Sequence, residues 1–209
     1  MAVGIVDYGS GNLASIANAL DNINAQHQFV SDPAHLANYD HIILPGVGNF
    51  HDCAAKLLNN GWYEAIISAF NNGKFLLGIC VGMQLLFKRS DEGNFPGGQQ
   101  VSGLSLLDAD VSRLITPNNE RLPHVGWNSI VFDGSGGSPI FQDIQTGADM
   151  YFTHSYGVYM VGKQHALAHA QYGKPFTAVV RVGSFYGVQF HPEKSGRPGF
   201  QLLKNFVNL

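Results

Sequence analysis

Two short stretches of this sequence carry side chains that could act together on a carbonyl carbon. The first is Gly78-Ile79-Cys80-Val81-Gly82. The apolar run Phe75–Ile79 leads into it, and Met83, Leu85, Leu86 and Phe87 follow. A strand, a sharp turn and a helix are expected, with Cys80 at the turn, the pattern of a Gly-x-nucleophile-x-Gly elbow. Glycines suit both flanks because a Cβ beside so tight a turn would clash. At a helix N-terminus the thiol meets unpaired N–H groups and the positive end of the dipole, which favour the reactive thiolate. The N–H of Val81 is placed to donate to an oxyanion. A buried cysteine with no chemistry would need the same small neighbours, so this stretch alone leaves both readings open. Cys53 lacks an elbow and reads as a small core hydrophobe.

The second stretch is His191-Pro192-Glu193, at the end of the expected strand Phe185–Phe190. Pro192 stiffens the turn and removes a backbone donor. A thiol nucleophile needs a base, and the base needs a carboxylate to fix its tautomer. Alone, the triplet is equally a surface turn. Paired with the cysteine elbow it gains weight, because both stand at strand ends of one expected sheet.

The elements that must hold these groups change character along the chain. The first half alternates: strands at Ala2–Val6, Gln28–Val30, His41–Leu44 and Phe75–Ile79, with helical spacing at Leu13–Ile23, Cys53–Leu58 and Trp62–Phe70. Asn72-Gly73 should stop the last of these helices. Such alternation with apolar strands predicts an α/β fold, a mostly parallel central sheet flanked by helices. The second half reads as strands at Leu104–Ile115, Trp127–Phe132, Met150–Met160, Ala166–Tyr172 and Thr177–Val182, adding antiparallel members, before a closing helix around Phe200–Val207. Asp133–Pro139 should be a surface loop. With no convincing linker, residues 1–209 are expected to form one domain.

Composition narrows the partners. Of 209 residues 45% are hydrophobic and 13% charged, with a net charge of -3. No basic stripe suggests nucleic acid, no apolar run is long enough to span a bilayer, and no signal-peptide pattern opens the chain. With two cysteines, a reducing, cytoplasmic setting is expected. The nine histidines show no zinc-ligand spacing, so neither metal nor cofactor is expected.

Extended to Gln84, the cysteine stretch together with His191-Pro192-Glu193 resembles the class I (triad) glutamine amidotransferases. Four further motifs are similar to those of the glutaminase subunits of imidazole glycerol phosphate synthases. They are Asp7-Tyr8-Gly9-Ser10-Gly11-Asn12, Pro45-Gly46-Val47-Gly48, Pro123-His124-Val125-Gly126-Trp127-Asn128 and His154-Ser155-Tyr156. The resemblance runs from the first strand to the last helix and implies a flavodoxin-like sheet. It also implies glutamine hydrolysis through a cysteinyl thioester, with Cys80, His191 and Glu193 as the triad. Oxyanion donors would come from Val81 and from Val47 or Gly48, in a loop that reorients. Gln84, Glu92, Ser155 and Tyr156 fall at substrate-binding positions. Asn12, Trp127, Tyr151 and Lys194 match an interface with a (β/α)8 cyclase subunit, which would receive the ammonia and make imidazole glycerol phosphate and aminoimidazole carboxamide ribotide in histidine biosynthesis. The free subunit would be nearly inactive. Other glutaminases of this fold, and a non-catalytic regulator on the same scaffold, are the alternatives. The Pro45–Gly48 and Pro123–Asn128 motifs weigh against the first, the intact triad against the second.

Overall fold

The structure is a computed structural model that describes residues 2–93, 102–118, 120–132, 137–159 and 161–209. Positions 133–136 of the expected surface loop, and Met160 at the end of an expected strand, lie outside the described residues. The strands are β1 (Val3–Val6), β2 (His27–Val30), β3 (His41–Leu44), β4 (Phe75–Ile79), β5 (Phe87–Ser90), β6 (Leu107–Arg113), β7 (His124–Ser129), β8 (Asp149–His154), β9 (Tyr156–Gly157), β10 (Ala166–Tyr172), β11 (Lys174–Val182) and β12 (Phe185–Val188). The helices are α1 (Leu13–Asn22), α2 (Phe50–Asn59), α3 (Trp62–Asn71), α4 (Val81–Gln84) and α5 (Gly196–Val207).

A seven-stranded sheet runs in the order β10-β11-β12-β4-β3-β1-β2. From β12 to β2 all neighbours are parallel, and β11 and β10 continue antiparallel. Strands β1, β3 and β12 are buried along their whole length. Their unbroken apolar runs suit a sheet covered on both faces. Helix α1 turns Ile16, Ala17, Ala19 and Leu20 inward, and α5 turns in Leu202, Leu203 and Phe206. Asn12 starts α1 by accepting from the Ser15 N–H, and Asn49 starts α2 by accepting from His51 and Asp52. Gly73, at φ +73°, ends α3 as expected of a left-handed C-terminal glycine.

Two smaller sheets, β5-β6-β9 and β7-β8, cover the rim of the large one. A two-stranded ribbon is weak by itself. Here buried Phe152 of β8 packs edge-to-face on Phe176 and Phe190, at ring separations of 5.7 and 5.6 Å. Each such buried ring contributes on the order of 1.5–3 kcal/mol, which fixes β7-β8 to the sheet.

Several element boundaries differ from the sequence reading. The helix after Cys80 is a single turn that stops at Gln84, and Phe87 begins β5. The run Met150–Met160 breaks at Ser155 into β8 and β9, and β12 ends at Val188, not Phe190. β7 runs from His124 to Ser129, where Trp127–Phe132 was expected. A 3-10 turn over Pro33–Asn38 was not foreseen. Among the described residues, no helix is long and apolar enough to cross a membrane.

Candidate active site

Sheet register brings the distant groups together. β4 lies between β3 and β12, all parallel, with Gly78 opposite Leu44 on one side and Gly187 on the other. The segments leaving these three strands therefore emerge at one edge. They are the Pro45–Gly48 loop after β3, Cys80 after β4, and Gln189–Glu193 after β12. This is the carboxyl edge where parallel sheets place their sites.

Cys80 sits at φ 56° and ψ -110°, a strained position for a residue with a side chain. Its neighbours are glycine by necessity. A Cβ at Gly78 would stand 2.5 Å from the Gly82 carbonyl oxygen, and one at Gly82 would stand 2.0 Å from that of Leu44. The Cys80 N–H is tied to the Val188 carbonyl at 2.8 Å, which locks the elbow to β12. Because α4 is one turn long, the dipole expected behind the sulfur is short, and local N–H groups are what remain.

His191 and Glu193 are both buried, and Nδ1 meets Glu193 Oε1 at 2.7 Å. Burial pulls the imidazole pKa down, but the neighbouring Cys80 sulfur and Glu193 carboxylate outweigh it and raise the pKa well above its usual value. The sulfur stands near enough to the ring to raise its pKa, but the contact falls short of hydrogen-bond geometry. Among the described residues Nε2 has no hydrogen-bond partner, and Sγ lies 3.8 Å from Gln189 Nε2 and 4.0 Å from the Thr153 carbonyl.

A cleft of about 290 Å³ opens over these groups. Cys80, Val81, His191, Val47, Gly48, Gln84, Glu92, Ser155 and Tyr156 all line it, as does Lys194. Gln84 is buried, its Nε2 donating to the Tyr156 carbonyl (2.9 Å) and to Gln189 Oε1 (3.1 Å). Glu92 Oε2 accepts from the Phe50 N–H at 2.7 Å, in the first turn of α2. Burial raises its pKa, against that hydrogen bond. Trp127 is 58% exposed, Tyr151 packs edge-to-face on it at 5.9 Å, and Lys194 Nζ reaches to 6.0 Å of the Tyr151 ring. Asn12 caps the start of α1.

The oxyanion donors are not assembled. The Val81 N–H donates to the Gly46 carbonyl at 3.3 Å. The N–H at the other end of that peptide, on Val47, points to Ser10 Oγ at 3.5 Å.

Sequence reading passed over three residues at the site. Gln189 precedes His191 by two positions, so strand alternation could have flagged it. Thr153 offers only a backbone carbonyl, which leaves no signal in the sequence. His154 lines the cleft, and the β7-β8 register sets it opposite His124. His154 Nδ1 faces the Tyr156 carbonyl at 2.8 Å and must donate to it. Its Nε2 is therefore an acceptor, and His124 Nδ1 at 3.2 Å must be the donor. Burial lowers these pKa values to about 3 for His154 and about 4 for His124. Among the described residues no group of His, Cys, Asp or Glu is placed to hold a metal ion.

Comparison with known proteins places this architecture. The model of the class-I glutamine amidotransferases matches residues 4–209. An imidazole glycerol phosphate synthase subunit HisH from Moorella thermoacetica is 42% identical over 207 residues, covering 99% of this chain and 94% of that protein. Its counterpart from a Geobacillus species is 41% identical, covering 99% and 96%. Among solved structures, PurLQS from Thermotoga maritima superposes with a TM-score of 0.76 over 99% of this chain and 97% of that one, at 18% identity, which speaks to the fold alone. An elbow cysteine beside a histidine–glutamate pair at the carboxyl edge is thus found in a chain that belongs, by its full-length match, to the class-I glutamine amidotransferases and, within them, to the family of imidazole glycerol phosphate synthase HisH subunits.

Proposed function

We propose that this chain hydrolyses glutamine to glutamate and ammonia, with Cys80 as nucleophile, His191 as base and Glu193 as its orienter. One observation carries the reading: a strained elbow cysteine and a buried His–Glu pair meet at the ends of adjacent parallel strands, in the cleft that also holds Gln84 and Glu92. Cys80 Sγ adds to the side-chain amide carbon of glutamine. His191 takes the thiol proton and gives it to the departing nitrogen, so the C–N bond breaks and a glutamyl thioester remains. Water, losing a proton to His191, adds to the thioester. The C–S bond breaks, glutamate leaves, and the proton returns to sulfur. The pull of sulfur and carboxylate that raises the His191 pKa keeps a proton at hand for the leaving nitrogen.

Glu92 is suited to the ammonium group of the substrate, since one carboxylate oxygen is anchored by Phe50 N–H. Ser155 and Tyr156 line the wall assigned to its carboxylate, and Gln84 fixes that wall through the Tyr156 carbonyl. Turning over the Gly46–Val47 peptide would complete the oxyanion hole. It would withdraw the Gly46 carbonyl from the Val81 N–H and bring the Val47 N–H to the site, both in one motion. Gly46 can follow such a rotation because it has no side chain, and Gly48 already sits at φ +93°.

The partner is a (β/α)8 cyclase subunit that consumes the ammonia and yields imidazole glycerol phosphate and aminoimidazole carboxamide ribotide. Free ammonia in water would be protonated and lost, so a docked partner must cover the cleft. Trp127, exposed beside Tyr151 and Lys194, suits an aromatic anchor for it, with Asn12 as a further contact. Residues 1–209 act as one domain, in the cytoplasm. The test is Cys80→Ser in complex with the cyclase. Synthesis from glutamine should vanish while synthesis from added ammonium salts persists. Continued use of glutamine by that variant would overturn the assignment.

A further inference from the structure

The sulfur of Cys80 sits between two groups of opposite kind. The Thr153 carbonyl, 4.0 Å away, can only accept, so it suits the thiol and takes its S–H. On the other side stands the Gln189 amide, with Nε2 at 3.8 Å from Sγ. Gln189 is fully buried and is neither nucleophile, base nor substrate contact. A primary amide in the interior is unfavourable unless its polar atoms are matched. A neutral thiol is a weak acceptor and matches the N–H poorly. A thiolate makes the stronger, charge-assisted bond.

Which end of that amide faces the sulfur is settled by its other partners. The Tyr156 carbonyl only accepts, and Gln84 Nε2 lies 2.9 Å from it, so Gln84 must present its NH2 group there. The same NH2 group stands 3.1 Å from Gln189 Oε1, so Gln189 must present its oxygen to Gln84. Its nitrogen is left for Cys80. Turning the Gln189 amide over would set two NH2 groups against each other and an oxygen lone pair against sulfur. The frame that carries both partners is equally fixed. The Gln189 N–H donates to the Ala178 carbonyl of β11 at 2.9 Å, and the Cys80 N–H donates to the Val188 carbonyl, one residue before Gln189, at 2.8 Å. Gln84 is buried as well, so the lock on the amide is shielded from water.

We propose that Gln189 is a further catalytic residue: its side-chain N–H, aimed by Gln84, holds the Cys80 sulfur in its anionic form. The role rests on Cys80 being the nucleophile. When the thiol proton passes to His191, the charge left on sulfur meets a donor already in place. As the C–S bond forms, sulfur becomes neutral and that hydrogen bond weakens. When the C–S bond breaks, its electron pair returns to sulfur and the donor is there again. Thr153 works in the opposite sense, receiving the S–H once His191 has returned the proton.

The test reads alkylation of Cys80 by iodoacetamide against pH, on the full chain without glutamine, resolved by peptide mass spectrometry. Alkylation of buried Cys53 in the same molecule reports whether the fold is intact. Gln189→Met keeps the length of the side chain and removes the donor. On the acid limb it should lower the thiolate fraction about tenfold, equivalent to about 1.4 kcal/mol and at the low end for hydrogen bonds to a charge. A thiolate that has lost a donor is the better nucleophile, which offsets part of that loss. The acid limb should therefore run about threefold slower than wild type, while the alkaline plateau runs about threefold faster. Superimposed profiles overturn the assignment. So does a profile moved by one factor at every pH, which would mean altered access to the sulfur. Gln84→Met leaves the donor but releases it, and should slow the acid limb by a smaller factor. An unchanged limb there overturns the assignment even where Gln189→Met exposes Cys53. Cys80→Ser in the cyclase complex separates this from the nucleophile itself. If that variant still uses glutamine, both readings fall. If it has lost glutamine-dependent synthesis and the Gln189→Met profile coincides with wild type, only the role of Gln189 falls.

Discussion

Within one cleft the molecule uses buried histidine in two opposite ways. His191 and His154 both line the cavity and both are almost inaccessible to water. His191 stands beside the Cys80 sulfur and the Glu193 carboxylate, the latter at 2.7 Å, and its pKa rises despite burial. His154 has only neutral partners, a backbone carbonyl and a second histidine, and burial drives its pKa to about 3. The desolvation is common to both, so the difference lies in the counter-charge. One ring is prepared to carry a proton through a reaction cycle. The other is a fixed donor–acceptor unit that orients the Tyr156 carbonyl, and through it Gln84.

Removing the protonatable ring should have the larger consequence. His191→Asn leaves a polar group in place but nothing to shuttle the proton, and the stimulated kcat should drop by roughly four orders of magnitude or more. The check is steady-state glutamine hydrolysis in the cyclase complex, with synthesis from ammonium salts as control. A drop of tenfold or less would mean that His191 is not the base. Replacing the counter-charge alone comes next. Glu193→Gln keeps shape but removes the anion that supports the imidazolium, and should lower kcat by roughly two to four orders of magnitude. It should also shift the acidic limb of the kcat/KM profile to lower pH, because the His191 pKa loses one of its raising causes. An unshifted limb would show that the carboxylate does not set the proton affinity of the ring.

The same contrast shows what the sequence can and cannot express. The elbow was legible because Gly78 and Gly82 are demanded locally, each by a carbonyl within 2.5 Å of the missing Cβ. The His191–Glu193 pair was legible because its partners are two residues apart. The parallel core was legible because β1, β3 and β4 are short apolar runs that alternate with stretches of helical spacing. The extent of α4 was not. Met83, Leu85, Leu86 and Phe87 are equally apolar in a helix or a strand, and it is pairing of Phe87 with Leu107 that turns the chain into β5. The His124–His154 pair was hidden for the same reason. Their separate positions show no ligand-like spacing, and only the β7-β8 register makes them neighbours. Gln84 and Gln189 likewise meet through adjacency of β4 and β12, which no local pattern records. What sequence conveys well is geometry enforced within one turn, and what it withholds is contact made across strands.

The neutral pair offers the finest test of the contrast, through stability. Its folded-state pKa values, about 4 for His124 and about 3 for His154, lie below the unfolded value of roughly 6.5. Above that unfolded value neither state binds protons at these rings, and the pair's contribution is fully present. As pH falls from about 6.5 towards 4, the unfolded chain takes up protons that the folded chain refuses, and stability declines. His191 works with the other sign, since its raised pKa contributes stability below about 6.5 that fades as pH climbs through the folded value. His124→Asn keeps a donor for His154 Nε2 but removes one titrating ring. Between pH 7 and pH 5 the wild type should therefore lose about 2–4 °C more in Tm than this variant, the shift expected from about 1 kcal/mol in a chain of this size. Calorimetry at the two pH values on the full chain reads the difference. Equal losses would mean that the folded chain protonates His124 as readily as the unfolded chain does, and that burial beside neutral partners does not hold this ring uncharged.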